Sequence, residues 1–187
     1  MRIVGGTLAG RGLTSPNDFR VRPTAEHVRA AVLDALGGEL PGARVLDLFA
    51  GTGALGLEAL SRGAARADFV ETRPASLHAL RANVAALRLR ERTRVFKRDA
   101  LPFAAGLAEG AYDLAFVDPP YESRMLDRVL EGWRARRFAR VLAAEHARAH
   151  ALPAELFAGL ARVERLAFGD TVVTLGWLSF APCASSA

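Results

Sequence analysis

A short apolar run that ends in a glycine-rich turn constrains the fold of this chain more than any other feature. Residues 45–53 read VLDLFAGTG, and residues 118–121 read DPPY. The first segment has the pattern of a buried strand that leads through a tight turn into a helix. In parallel α/β sheets such turns lie at the carboxyl ends of strands, where nucleotide-containing cofactors bind. The segment therefore predicts a parallel sheet together with a cofactor site.

Strand and helix patterns alternate along most of the chain, which is typical of an α/β protein. We predict a doubly wound, mostly parallel, seven-stranded, Rossmann-like sheet whose last two strands form an antiparallel hairpin at Gly169-Asp170. The predicted strands are 44–49, 67–71, 93–97, 112–117, 138–145, 162–168 and 171–179. The predicted helices are 53–62, 74–88, 101–108 and 123–134, preceded by one with Thr24 as its N-cap.

The chain is long enough for one domain with a full core, since 51% of its 187 residues are apolar. We predict that residues 1–22 form a short β-hairpin arm, because the glycines near Gly5 and Gly10 are turn signals. Residues 23–180 then form the main domain, and residues 181–187 a flexible tail. No apolar run reaches the ~18 residues of a membrane span, so we expect a cytoplasmic protein.

Positive charge is concentrated near the N-terminus. The net charge is +5, and all but one of the 25 basic residues are arginine, whose planar fork suits phosphate and stacks on bases. In the first 22 residues, four arginines stand against Asp18 alone. We interpret this arm as a nucleic-acid contact, and its candidate RNA-binding residues are Arg2, Arg11, Arg20, Arg22 and Thr24.

Acidic residues close to the ends of the first three predicted strands indicate which cofactor binds. Asp47 precedes the glycine turn, Glu71 ends the second strand, and Asp99 follows the third. An acid in the turn repels a pyrophosphate but suits the ammonium group of S-adenosylmethionine. The GxGxxG pattern at 51–56 also fits a dinucleotide oxidoreductase, which stays open as the weaker alternative. The candidate cofactor-binding residues are Asp47, Phe49, Gly51, Thr52, Gly53, Glu71, Thr72, Asp99, Ala100 and Asp118.

The DPPY segment offers the groups that methyl transfer to an exocyclic base amine requires. The lone pair of such an amine is delocalised into the ring, and two acceptors on its two hydrogens make that lone pair more available. Asp118 can supply a carboxylate oxygen and Pro119 its carbonyl, while Tyr121 offers a ring on which a base can stack. We predict Asp118, Pro119, Pro120 and Tyr121 as the catalytic set, although two prolines can also be only a rigid turn.

Metal and disulfide chemistry are not predicted. The four histidines share no ligand spacing with acids; they are His27, His78, His146 and His150. Cys183 is the single cysteine of the chain, so no internal disulfide forms.

At these residues the chain resembles the RsmD-type family of bacterial 16S ribosomal RNA guanine-N2 methyltransferases. The likeness rests on RIVGG at 2–6, LDLFAGTGALGLEALSRGA at 46–64, DPPY, and FGDT at 168–171. It implies a class I methyltransferase fold, S-adenosylmethionine as cofactor, and a guanine N2 amine held by Asp118 and Pro119. It also implies that Glu71 holds the ribose of the cofactor and Asp99 its adenine. The implied partner is 16S RNA, partly assembled with ribosomal proteins, and nothing in the sequence demands more than a monomer.

Two further alternatives remain open at this point. DNA methyltransferases that act on adenine N6 can also carry DPPY, although 187 residues leave little room for a sequence-reading domain. A non-catalytic RNA-binding assembly factor could retain the same fold, but it would have no need of intact Gly51, Gly53, Asp118 and Tyr121.

Overall fold

The computed structural model describes residues 1–16, 25–120 and 124–179 of the chain. These residues form one seven-stranded sheet with helices on both faces. The strands are β1 (Arg44–Leu48), β2 (Arg66–Glu71), β3 (Thr93–Lys97), β4 (Tyr112–Val117), β5 (Ala139–Ala147), β6 (Leu160–Phe168) and β7 (Thr171–Leu178). The α-helices are α1 (Glu26–Ala35), α2 (Ala54–Ser61), α3 (Pro74–Ala86), α4 (Ala100–Ala105) and α5 (Met125–Arg136).

The strand order is β3-β2-β1-β4-β5-β7-β6, and it places the point where strand order reverses between β1 and β4. Both of these strands are parallel, and the register pairs Leu48 with Val117 on one side and with Val70 on the other. The residues that follow β1, β2 and β4 therefore leave the sheet side by side. Ligands of doubly wound sheets bind at this position.

The C-terminal hairpin inserts its second strand into the sheet. Strand β7 pairs antiparallel with β5, and β6 lies outside it at the edge. Six consecutive residues of β7, Val172–Trp177, are buried, whereas β6 is mostly exposed or half-buried and carries Arg162, Glu164 and Arg165. A strand that is apolar on both faces belongs inside a sheet, and charged side chains protect an edge from further pairing.

Two apolar clusters cover the two faces of the sheet. One cluster joins side chains of α1, α2 and α3 to the strands, and Phe69 and Phe116 lie in it. The other joins α4 and α5 to the strands, with Trp133 and Phe138 fully buried. The Trp133 indole donates to the carbonyl of Ala139 at 2.7 Å, so this large ring is buried without an unsatisfied N–H.

The N-terminal segment packs against α1 and α2. Arg2 and Gly12 form an antiparallel bridge, and Ile3 is fully buried in the first apolar cluster. Gly6 has φ of +78°, and a Cβ atom there would lie 2.1 Å from the carbonyl oxygen of Ser61. This close approach requires a glycine and fixes the segment on the end of α2.

A buried ion pair joins the helices beneath this segment. The Nε of Arg29 in α1 donates to Glu58 in α2 at 2.6 Å, and both side chains are fully buried. The same carboxylate accepts from the backbone amide of Val4 at 3.4 Å. Glu58 also pairs with Arg62 at 3.1 Å. Breaking a buried ion pair by removing one partner typically costs about 3–5 kcal/mol, and the second pair of Glu58 should reduce the cost of losing Arg29.

The predicted fold class is confirmed, and the elements differ from expectation mainly at their ends. Strand β5 continues to Ala147 rather than 145, and β6 begins at Leu160 rather than 162. Helix α4 ends at Ala105, three residues before the predicted end, because Gly106 follows it. The first helix begins at Glu26 with Ala25 at the N-cap position, while Thr24 lies outside the described residues. Within the described part, no helix has the length and apolarity needed to cross a membrane.

Candidate active site

The loop after β1 combines strained backbone with a very close contact to the core. Phe49 has φ of +62°, Gly51 of +54° and Gly53 of +79°. A Cβ atom on Gly53 would lie 2.3 Å from Cδ1 of Leu80, whereas a Cβ atom on Gly51 would meet no atom within 4 Å. A side chain at position 53 would have to displace the buried Leu80 and adopt an unfavourable positive φ, so packing and backbone conformation both favour glycine there. Gly51 lies on the open side of the loop, where the absence of a side chain leaves room for a ligand.

Glu71 fixes the shape of this loop from the end of β2. One carboxylate oxygen accepts from the amide of Gly51 at 2.9 Å, and the other accepts from Thr72 at 2.7 Å and from Arg73 at 2.8 Å. The residue is 5% exposed. Each carboxylate oxygen has two lone pairs, so these bonds leave acceptor capacity for a hydroxyl group.

The loop amides are used differently from expectation. Because Gly51 and Gly53 carry no side chain, the sequence predicts that their backbone amides approach a ligand closely. In the structure the Gly51 amide donates to Glu71, and the Gly53 amide donates to the carbonyl of Ala50 at 2.7 Å. The glycines therefore serve the site through positive φ and missing side chains rather than through free N–H groups.

Asp47 is buried directly beneath the loop. It is 2% exposed, and its carboxylate accepts from the amide of Gly56, in the first turn of α2, at 3.0 Å. Burial raises the pKa of the Asp47 carboxyl to about 8, and the nearby charge of Glu71 acts in the same direction against the Gly56 bond. From the sequence, Asp47 can either brace the turn or hold a cationic amine; in the structure it braces the start of α2.

Asn83 links the loop to the N-terminal segment, and the sequence analysis missed it. It lies in the last turn of α3 and is 2% exposed. The amide nitrogen donates to the carbonyls of Thr52 and Thr14, both at 3.0 Å, and the oxygen accepts from the Thr14 amide at 2.7 Å. The sequence did contain a signal for Asn83, because a polar residue there directly precedes the apolar Val84 of a predicted helix.

Asp99 follows β3, next along the same edge of the sheet. It is the N-cap of α4, its carboxylate accepts from the amide of Leu101 at 2.9 Å, and it is exposed. Ala100 begins the helix and is 4% exposed. Because β3 pairs with β2, Asp99 lies beyond Glu71 when viewed from the glycine loop.

The DPP segment leaves the sheet beside the glycine loop. Asp118 directly follows β4 and is half-buried; Pro119 is buried and Pro120 exposed. Tyr121, the fourth predicted catalytic residue, lies outside the described residues. The arrangement meets the essential condition of the sequence-based hypothesis, because the loop of Gly51 and the carboxylate of Asp118 follow adjacent parallel strands.

Small cavities flank this segment on two sides. The first is lined by residues of α1, α2 and three strand ends: Val32, Leu55, Phe116, Val117, Asp118, Ala143, Glu145 and Val173. The second lies toward α5 and is lined by Pro119, Pro120, Leu126, Glu145, His146, Ala147 and His150. Glu145, near the end of β5, is the residue that both linings share, and the sequence analysis also missed it. The signal was present, because it is an acid near the end of a strand, as Asp47 and Glu71 are.

The histidines near the second cavity have partners within the protein. His146 is buried and its Nε2 lies 3.0 Å from the hydroxyl of Thr174; burial lowers its pKa. His150 contacts the carboxylate of Asp127 at 2.9 Å. Among the described residues, no three His, Cys, Asp or Glu side chains come together as a metal site.

The predicted RNA-binding residues are only partly described. Arg2 contacts Glu26 through its backbone amide and its side chain, which is 66% exposed. Arg11 is exposed and donates to the carbonyl of Ala86 at the end of α3. Arg20, Arg22 and Thr24 lie outside the described residues. Their role in RNA binding therefore stays a prediction.

Comparison with known proteins shows the same family along almost the whole chain. The family described as Conserved hypothetical protein 95 matches residues 1–177. Ribosomal RNA small subunit methyltransferase D of Escherichia coli is 38% identical over 140 residues, covering 72% of this chain and 70% of that protein. The putative rRNA methyltransferase YlbH of Bacillus subtilis is 35% identical over 132 residues, covering 70% and 72% of the two chains.

Solved structures agree with this relationship. The putative methyltransferase yhhF from Escherichia coli superposes with a TM-score of 0.84 at 31% identity, covering 95% of this chain and 97% of that one. The T. thermophilus 16S rRNA N2 G1207 methyltransferase, solved with AdoMet and guanosine, shares the fold at 23% identity. Its TM-score is 0.70, and the match covers 96% of this chain and 49% of that one.

Proposed function

Since this chain belongs to the RsmD-type family of ribosomal RNA methyltransferases, we propose that it methylates the exocyclic N2 amine of a guanine in 16S ribosomal RNA with S-adenosylmethionine as donor. The observation that carries the proposal is the adjacency of β1 and β4, which brings the glycine loop and the DPP segment together at the point where strand order reverses. The relatives named as small-subunit RNA methyltransferases support RNA over DNA adenine as the substrate.

The residues around the glycine loop fit S-adenosylmethionine. The open space above Gly51 admits a ligand, the buried carboxylate of Glu71 can accept from ribose hydroxyls, and the exposed Asp99 can accept from an adenine amine. Relatives named as methyltransferases argue against a dinucleotide oxidoreductase. The buried Asp47 carboxyl, which keeps its proton near neutral pH, braces the start of α2 beneath the loop. When bound, the cofactor supplies an electrophilic methyl group on a sulfonium centre.

The DPP segment holds the methyl acceptor in this proposal. Asp118 and the carbonyl of Pro119 accept hydrogen bonds from the N2 amine and direct its lone pair toward the donor side of the site. Proline at 119 and 120 fixes the backbone, so the two acceptors are held before the substrate arrives. Tyr121 stacks on the base. A guanine paired in a helix cannot reach this pocket without being flipped out, so an unpaired or splayed nucleotide is the expected acceptor.

The N-terminal arm provides the RNA contact. Arg2 and Arg11 lie on the described part of the arm, and their exposed guanidinium groups suit phosphate. We place Arg20, Arg22 and Thr24 in the same contact. The protein acts as a monomer in the cytoplasm, on 16S RNA that is partly assembled with ribosomal proteins.

The decisive experiment maps methylated nucleotides in small-subunit RNA from cells that lack this protein. We expect one N2-methylguanosine to disappear, to return when the wild-type chain is supplied, and to stay absent with Asp118→Ala. Purified protein with labelled cofactor is then offered naked 16S RNA, partly assembled particles and duplex DNA. Transfer to adenine in DNA would replace the proposal with the DNA alternative, and recovery of the mark by the Asp118→Ala chain would remove Asp118 from the chemistry.

A further inference from the structure

The strand register places a second carboxylate beside Asp118. Strand β4 pairs with β5 in parallel, with Phe116 opposite Ala143 and Val117 opposite Ala144. Asp118 directly follows the end of β4, and Glu145 is the next residue of β5. Side chains alternate between the faces of a sheet, so Asp118 shares a face with Phe116, and Glu145 with Ala143. All four line the first cavity, together with Val117 between Phe116 and Asp118.

Glu145 also reaches the other side of the DPP segment. It is the one residue common to the linings of both cavities among the described residues. Pro119, Pro120, Leu126 and Ala147 line the second cavity with it, and so do His146 and His150. A base that enters beside Pro119 therefore meets two acidic side chains, Asp118 and Glu145, on neighbouring strands.

We propose that Glu145 selects guanine by accepting a hydrogen bond from the N1–H of the base whose N2 amine is held by Asp118 and Pro119. This inference rests on the proposed function. Guanine carries adjacent N1–H and N2–H donors, whereas the N1 of adenine is an acceptor. Neighbouring strands lie about 4.8 Å apart, so acceptors at their ends can receive the two adjacent donors of one base edge. An ionised carboxylate only accepts, and it therefore rejects a base with a lone pair at N1.

A base analogue together with the variant Glu145→Gln tests this role. The target guanine, once mapped, is replaced by 2-aminopurine in full-length 16S RNA built by splinted ligation. This analogue keeps the N2 amine but has an acceptor at N1. We expect the wild-type protein to prefer guanine by at least about 30-fold in kcat/KM, the discrimination typical of one well-formed base contact. A glutamine amide can accept from N1–H or donate to N1, so in Glu145→Gln the preference should fall to within about threefold.

The controls separate selection from folding and from the proposed function. Glu131→Gln alters an exposed glutamate of α5 away from both cavities, and it should keep the wild-type preference. Cofactor affinity, measured by calorimetry, should be unchanged in Glu145→Gln. A guanine preference that stays at the wild-type ratio in Glu145→Gln overturns the inference, as does equal loss of activity on both RNAs. A wild-type protein that methylates no guanine defeats the proposed function instead.

Discussion

The candidate site lies at the carboxyl ends of the parallel strands, and its two halves differ in how they are built. The half formed by β1 and β2 is held by carboxylates that bond to backbone amides, Asp47 to Gly56 and Glu71 to Gly51, Thr72 and Arg73. The half formed by β4 and β5 is shaped by prolines and apolar side chains around two cavities. We call the first half, formed by Asp47, Glu71 and the loop of residues 49–53, the cofactor cradle. The second half instead has open space beside a small number of polar groups.

This difference fits the two ligands of the proposed reaction. The cofactor is small and constant, so a cradle whose buried carboxylates are already bonded loses little conformational entropy when it binds. The substrate is a single nucleotide of a large RNA, and its recognition needs a pocket that a flipped base can enter. The comparison predicts that changes in the first half weaken cofactor binding, whereas changes in the second half slow the chemistry.

The largest expected effect comes from Asp118→Ala. Loss of the carboxylate removes one of the two acceptors on the amine, and we expect kcat to fall about 100- to 1,000-fold. Cofactor affinity should stay within about threefold, measured by calorimetry. Asp113→Ala is the matched control, because Asp113 lies at the opposite end of β4, where it accepts from the amide of Arg44 at 2.8 Å. Full activity in Asp118→Ala would contradict the assignment of the chemistry to the half formed by β4 and β5.

Glu71→Gln should give the reverse pattern. A glutamine has one acceptor oxygen where the carboxylate has two, and its amino group would face the amides of Gly51 or of Thr72 and Arg73. We expect a loss of about 2–3 kcal/mol in cofactor binding, or about 30- to 150-fold in Kd, from disrupted charged hydrogen bonds. At saturating cofactor kcat should change little. Glu91→Gln, on an exposed turn before β3, serves as control; a normal Kd in Glu71→Gln would show that Glu71 does not shape the cradle.

Asn83→Ala tests whether the cradle depends on the N-terminal segment. The change leaves Thr14 and Thr52 without their side-chain partner and should lower the free energy of unfolding by about 2–3 kcal/mol. We expect cofactor and RNA affinity each to weaken about tenfold. His78→Ala, exposed on the same helix, should change neither. If only stability falls, with both affinities intact, Asn83 is a structural residue alone.

The sequence places together those candidate residues that lie in one continuous motif. Asp47, Gly51 and Gly53 fall within seven residues, and their order along a strand and a turn determines where they lie. Asn83 and Glu145 were missed because their importance arises from neighbours that are distant in the chain. Asn83 meets Thr14 and Thr52 across three segments, and Glu145 lies beside Asp118 only through strand pairing.

The order of the last two strands in the sheet could have been predicted from their hydropathy. The sequence predicts a strand at 171–179, but the alternation of side chains does not decide which strand of the hairpin adjoins β5. The buried run of β7 and the charges of β6 place β7 inside and β6 at the edge. Hydropathy on both faces of a strand, and not alternation alone, decides its place in the order.

The smallest expected effect is a pH dependence of stability that arises from Asp47. With a pKa of about 8 in the folded protein and an ordinary value of 3.8, the folded state retains a proton that the unfolded state has lost. The free energy of unfolding therefore falls by at most about 1.4 kcal/mol per pH unit as pH rises from about 4 to 8, and it levels off above pH 8.

The variant Asp47→Asn tests this dependence, because it keeps an acceptor for the Gly56 amide and removes the titration. Denaturant unfolding without cofactor should show the variant gaining stability relative to wild type between pH 5 and 8, by about 1–2 kcal/mol in total after allowance for relaxation around the buried charge. Parallel pH profiles would mean that Asp47 is ionised in the folded protein, and the cradle would then carry a full negative charge beneath the cofactor.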